Sequence, residues 1–422
     1  MKDLLRVALV LAGMLAAPSA MAGEEPGTAP RQEEPGAAPG APATPVAPTT
    51  IEQAHHRLGA LRDLPLSGPG SLPKRMQRFR RLAEQALALH AAAPAAGEDV
   101  YRLAEICLEA ERFEEAAAFA KRYLDAAGKE PPSSLGFAHA VRVRSLAKLG
   151  RVADAESAMK AYREALPKAD GISPVSKLLG DALVEAGRLE DALARYRDAA
   201  SILPRPLPST GAGTFQAVAE TLVALGRAGE AKTVVEAALK DAADPPAQER
   251  LRAVLARIGM TGKEFAPLPF DRWLQGAAPD SGAARGKVVV WHVFAWWMDA
   301  RAASLDDWRK RLADPAGKGL LVFPVTRTGG WDPAAKKFEE KRPADDEAAD
   351  ILNSLKDRGW TGPCALYLGE AGFRAMEVRG LPLEIVVGRD GRIRLATAGS
   401  EAGHALALRV AAAALLEEAP PR

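Results

Sequence analysis

The sequence is short of cysteine, aromatics and net charge, and each shortage excludes something. Two cysteines, Cys107 and Cys364, stand far apart in a chain of 422 residues. Without a short-spaced pair there is no zinc or dithiol motif, although two thiols allow one bridge. Lys and Arg number 56 against 54 Asp and Glu, a formal charge of +2. That balance, with no basic block, leaves no footprint for nucleic acid. Aromatics make up 5% of the chain, and no Trp precedes Trp273. His55, His56, His90 and His139 are scattered without metal-ligand spacing, and no cofactor motif emerges. The glycine-rich "STGAGTF" (Ser209 to Phe215) reads as a loop and helix cap rather than a phosphate site.

Long apolar runs are also missing. The first, Val7 to Ala17, follows the basic residues Lys2 and Arg6 and is too short to span a bilayer comfortably. "SAMA" comes next, with small residues Ala20 and Ala22 where a signal peptidase reads. This pattern predicts a signal peptide over 1–22 and an exported, periplasmic or extracytoplasmic protein with no membrane span after cleavage. Residues 23–50 are rich in Pro, Ala and Gly and have no aromatic, the composition of a disordered spacer.

From 51 to 260, Ala, Leu, Arg and Glu dominate, and apolar residues recur at helical spacing. "LLGDALVEAGRLEDALARYRDAASILP" (Leu178 to Pro204) places Leu179, Gly180, Leu183, Gly187, Ala192, Tyr196, Ala199 and Pro204 in order. This spacing resembles the tetratricopeptide repeat (TPR), a helix-turn-helix unit of about 34 residues. Weaker copies carry Gly150, Ala155, Tyr162 and Pro167, and Ala219, Leu222, Gly226 and Ala231. A further copy has Leu103, Ala104 and Ala116, but Glu111 where the turn glycine belongs. The resemblance implies a curved stack whose concave face binds a peptide or protein, or simply supports the next domain. Cys107 falls at a core position of a repeat.

Composition changes near Gly262. All seven Trp residues lie between Trp273 and Trp360, and strand-like runs appear: "KVVVWHVFA", "GLLVFPVTRT", "CALYLG" and "LEIVVGRDGRIRLATAG". Helical stretches separate the first three, Asp390-Gly391 marks a hairpin, and a closing helix follows from about Glu401. The fold expected is therefore multidomain: an all-α, TPR-like helical solenoid over 51–260, then an α/β domain over 262–418.

"GKVVVWHVFAWWMDAR" and "VRGLPLEIVVGRDGRI" (Val378 to Ile393) resemble the two signatures of TlpA-like thiol-disulfide oxidoreductases, which have a thioredoxin-like fold. In that resemblance Trp297 matches the Trp before the first active-site cysteine. Met298 and Arg301 stand where the two cysteines would be. Pro382 matches a proline that is cis and faces the active site, and His292 a polar, often acidic, position on the strand behind it. A catalytic thiol is activated at a helix N-terminus and closes a disulfide with its partner three residues on. A thioether and a guanidinium do neither, so no catalytic residue is expected here.

What the resemblance leaves is a binding groove, lined by Trp296, Trp297, Met298, Leu381 and Pro382 with Arg301 at its edge. Strand alternation predicts that Trp296 and Trp297 point oppositely, so that at least one is exposed. Three functions follow. The first is an exported, non-catalytic protein that binds a peptide or protein partner in the cell envelope. The second is an oxidoreductase or monothiol peroxidase using Cys364, and the third a structural envelope scaffold. "ADDEAAD" (Ala344 to Asp350) reads as a solvated helix face rather than a calcium site, and His292 as a satisfied buried histidine. No cofactor or metal is expected, and the sequence leaves the oligomeric state open.

Overall fold

The computed structural model describes residues 47–63, 71–126, 132–265, 270–276, 284–297, 299–314, 317–335, 337–339, 342–368, 380–399 and 401–416. The expected signal peptide and most of the spacer lie outside them. Among the described residues, no helix is long and apolar enough to cross a membrane.

Eleven described helices come first: α1 (Ile51–Arg62), α2 (Ser71–Ala92), α3 (Glu98–Glu109), α4 (Phe113–Ala126), α5 (Pro132–Lys148), α6 (Val152–Ala165), α7 (Ile172–Glu185), α8 (Leu189–Ser201), α9 (Ser209–Ala224), α10 (Ala228–Lys240) and α11 (Pro245–Ile258). From α3 onward they pair as hairpins in a TPR-like solenoid. Tyr162 and Tyr196, each 1% exposed, fill the space between helices. Gly180 lets α7 and α8 approach closely, since a Cβ there would meet the Tyr196 ring at 2.5 Å. "STGAGTF" is not a loop: it forms the first two turns of α9.

Four hairpins share one stop signal. Glu111, Gly150, Gly187 and Gly226 all have positive φ. The next residue's N–H reaches back five residues in each case, from Arg112 to Cys107, Arg151 to Leu146, Arg188 to Leu183 and Arg227 to Leu222. This is the Schellman arrangement, which satisfies carbonyls left free at a helix end. Glu111 adopts it without being glycine, as the repeat frame requires. In every copy the following Arg donates through Nε to an acid three residues on, Glu115, Asp154, Asp191 or Glu230. Arg188 and Arg227 also reach Glu156 and Glu190 of the preceding hairpin. Pairs this exposed are screened by water, so they tune stacking rather than drive it.

The second half is a six-stranded sheet. Its elements are β1 (Arg272–Gln275), β2 (Val288–Val293), α12 (Asp299–Ala313), β3 (Leu320–Arg327), a small hairpin of β4 (Trp331–Asp332) and β5 (Lys337–Phe338), α13 (Ala344–Asp357), β6 (Cys364–Tyr367), β7 (Leu383–Val387), β8 (Ile393–Ala398) and α14 (Glu401–Leu416). The sheet order is β1-β6-β3-β2-β7-β8. β2, β3 and β6 are parallel, β7 runs antiparallel to β2, and β8 antiparallel to β7. A parallel βαβ unit, an antiparallel hairpin beside it and a closing helix make a thioredoxin-like arrangement. β6 with α13, and the lead-in strand β1, widen its far edge.

Alternation along β2 sorts its side chains. Val289, Trp291 and Val293 join Phe323, Val325, Ile385 and Val387 on one face. Val288 and Val290 join Val322, Val386 and Leu395 on the other. Both faces are buried, as expected for the parallel strands at the centre of a sheet covered on both sides.

The two halves share a core. One apolar cluster runs from Leu179, Leu183 and Val218 in the solenoid to Leu406 and Ala411 on α14 and Val290 in the sheet. α14 packs between the sheet and helices α7 and α9. Arg409 of α14 donates through Nε to the Val184 carbonyl at 2.7 Å, and through Nη2 to that of Glu185. These carbonyls end α7, where the helix dipole favours a cation. Gln216 of α9 donates to the Ala398 carbonyl on the edge strand at 2.6 Å. Behind it, Arg257 and Glu220 form a buried ion pair at 3.3 Å.

Candidate functional site

β2 ends at Val293, and the chain turns through Phe294, Ala295, Trp296 and Trp297 into α12. Met298 lies outside the described residues. Arg301 lies on α12, but its side chain is also outside them. The Leu381–Pro382 peptide bond is cis, and the Pro382 carbonyl accepts from Gly399 N at 2.9 Å. Trp297, Leu381 and Pro382 are each partly exposed.

Trp296 does not line a groove. It is 6% exposed, and its Nε1 donates to Glu347 Oε1 at 3.0 Å. It packs on the same core cluster as Trp297, with the two rings edge-on at 6.4 Å. Of the two tryptophans expected to point oppositely, Trp296 is buried and Trp297 keeps part of its surface, so only Trp297 can line a groove. Glu347 itself corrects the reading of "ADDEAAD" as a solvated face. Asp345 is exposed, but Glu347 is 1% exposed. Its carboxylate accepts from Gly329 N at 2.9 Å, Gly330 N at 2.8 Å and Trp331 N at 3.3 Å. Three backbone donors and an indole thus replace water around a buried carboxyl group.

That loop shapes the surface around Trp297, which packs against the core on one face of the sheet, whereas Leu381 packs against the core on the other. A Cβ at Gly329 would approach the Trp297 ring to 3.1 Å. The Arg327 guanidinium lies 5.2 Å above the same ring, and Phe338 meets it edge-on at 5.9 Å. Phe338 is 55% exposed. Sequence reasoning missed Arg327 and Phe338. The Lys-Lys-Phe-Glu-Glu setting of Phe338 carries no local signal, since only the β4–β5 hairpin brings it to Trp297.

Neither thiol reaches the surface. Cys107 and Cys364 are free, fully buried and placed in different core clusters. Burial pushes each thiol up to about 12, so neither offers a thiolate near neutrality.

Behind the turn lies a buried acid–base cluster. His292 on β2 and Glu384 on β7 are cross-strand partners, 0% and 1% exposed. Glu384 Oε1 accepts from His292 Nδ1 at 2.9 Å, Trp308 Nε1 at 2.7 Å and His404 Nδ1 at 2.8 Å. Oε2 has no partner among the described residues. Burial opposes the charge of Glu384, but hydrogen bonds from His292 and His404 outweigh it and hold the carboxyl down at about 2. Sequence reasoning found His292 but not its partners. Glu384 and His404 are 20 residues apart on different elements, and only the closing helix joins them.

No family model matches the chain, and neither does any curated protein. Some solved structures resemble parts of it. A thiol-disulfide isomerase from Corynebacterium glutamicum is 18% identical over 37% of this chain and 97% of its own, with a TM-score of 0.29. A putative thiol:disulfide interchange protein DsbE from Chlorobium tepidum is 20% identical over 37% of this chain and 95% of its own, with a TM-score of 0.27. MamA (AMB-1) is 16% identical over 46% of this chain and 92% of its own, with a TM-score of 0.32. The class of the protein rests on its own connectivity: a TPR-like solenoid followed by a thioredoxin-like domain.

Proposed function

We propose that the chain is an exported, non-catalytic protein of the cell envelope that binds an extended peptide segment of a partner along the cis-proline edge. One observation carries this reading: both thiols of the chain are sealed in its core, while Trp297 and Phe338 keep exposed surface. Met298 and Arg301 supply no exchangeable sulfur at the redox turn. Partly exposed Trp297, exposed Phe338 and Arg327 are residue types favoured as interface anchors. Backbone beside the proline suits pairing with an extended strand. The array then holds this unit rather than working as a free receptor, because α14 already packs on α7 and α9. Nothing favours thiol chemistry at Cys364.

The test is a peptide-display selection against the full chain, followed by calorimetry on the selected peptides. Trp297→Ala and Phe338→Ala are each expected to weaken binding by about tenfold, an anchor's worth of interface energy. N-methylation of the peptide backbone is expected to do the same. Reduction of a model disulfide by the full chain, abolished by Cys364→Ser, would replace this reading with the enzyme.

A further inference from the structure

The two histidines on Glu384 differ in what their second nitrogen faces. His292 Nε2 lies 3.3 Å from Ser304 Oγ, a hydroxyl able to donate. Both ring nitrogens of His292 thus face a hydrogen-bonding partner. His404 Nε2 lies 3.5 Å from Asp307 Oδ2, while its Nδ1 faces Glu384. A carboxylate on each side of the ring favours its charged form, although Nε2 lies at ion-pair distance from Asp307 and makes no hydrogen bond among the described residues. Burial opposes that charge, yet Glu384 and Asp307 together raise His404 above its ordinary value.

His404 sits on the helix that joins the two halves. Five residues on, Arg409 grips the end of α7. Glu384 lies two residues beyond the cis proline, whose carbonyl is tied through Gly399 to the strand end that Gln216 of the array holds. We propose that His404 is a proton-operated latch between the cis-proline loop and the helical array. Charged, it holds α14 to β7 and α12; neutral, it lets α14 and its contact with α7 and α9 loosen.

The groups facing His404 are Glu384 on β7, His292 on β2 across the shared carboxylate, and Asp307 on α12. On the array side, Lys177 pairs with Asp181 on α7, and Glu220 of α9 with Arg257. Glu220, pushed up by burial, also lies at this joint. It loses charge as pH falls, whereas His404 loses charge as pH rises. The direction of the transition therefore tells them apart. For a raised histidine the stabilisation is complete below about 6.5 and is lost as pH rises through the folded-state value.

Spin labels at Lys160→Cys on α6 and Lys310→Cys on α12 read the joint in the full chain. Both positions are exposed, and the native cysteines are buried. One narrow distance is expected at pH 6 and a second population at pH 9. Their ratio changes by up to about tenfold per pH unit, the limit for a single proton. His404→Gln is expected to show the high-pH distribution at both values. An unchanged distribution in the parent, or a pH response that survives His404→Gln, overturns the latch. Should that variant fail to fold, Asp307→Asn decides: the midpoint moves to lower pH if the latch is right and stays put if it is wrong. This readout needs no peptide, so it stands or falls apart from the proposed groove.

Discussion

Glu384 carries a charge where only 1% of its surface meets solvent, and the cost of that placement is met by three donors on one oxygen. The donors come from β2, α12 and α14, so one carboxylate ties the sheet to both helices on that face. Because its folded-state pKa is depressed, its stabilisation is present above about 4.5 and disappears as pH falls toward about 2. Glu384→Gln is expected to remove this acid-sensitive part of stability, seen as a flatter plot of denaturant midpoint against pH between 5 and 2. A midpoint that falls as steeply in the variant would assign the acid response to other carboxylates. His292 was legible in the sequence as a buried, satisfied histidine because it lies in a strand pattern. Its partners were not, because contacts between distant segments leave no local mark.

At the scale of the element, the repeated helix stop is the clearest sequence-coded device. Glu111 holds φ at 61°, a conformation that costs an L residue about 1 kcal/mol or more. Its exposed pair with Arg80 offsets little of this. Glu111→Gly is therefore expected to raise unfolding free energy by about 1 kcal/mol in urea melts. A Cβ at Gly226 meets nothing within 4 Å, so Gly226→Ala is expected to cost about the same amount through φ alone. Gly187→Ala should cost more, because a Cβ there also meets the Arg409 guanidinium. Equal costs at the two glycines would show that Arg409 moves aside freely. The turn frame was visible in the spacing of Gly150, Gly187 and Gly226. Which of Trp296 and Trp297 is buried was not, since alternation says only that the two point oppositely.

For the whole molecule, the decisive fact is that solenoid and thioredoxin-like domain are packed on one core rather than strung on a linker. The buried pair of Glu220 and Arg257 lies at this joint, facing the edge strand β8. Arg257→Met leaves a buried carboxylate unpaired and is expected to cost about 3–5 kcal/mol in global unfolding. The double change with Glu220→Leu is expected to recover most of that loss. A single variant as stable as the parent would mean that Glu220 is neutral in the folded protein. The same packing covers part of the array from within the chain, because α14 lies on α7 and α9.

The sequence by itself determined the periods, the stops and the order of elements. Helical spacing built the repeats, positive-φ positions ended their helices, and alternation in β2, β3 and β7 made a sheet buried on both faces. Each of these is written in residues close together along the chain. It also determined that no cysteine lies between β2 and β3. Only the tertiary structure decided which groups meet: Trp296 with Glu347, Trp297 with Arg327 and Phe338, Glu384 with two histidines, and Arg409 with the end of α7. Those contacts depend on how α12, α13 and α14 pack, and packing is settled by shape and desolvation across the fold rather than by any neighbour in sequence.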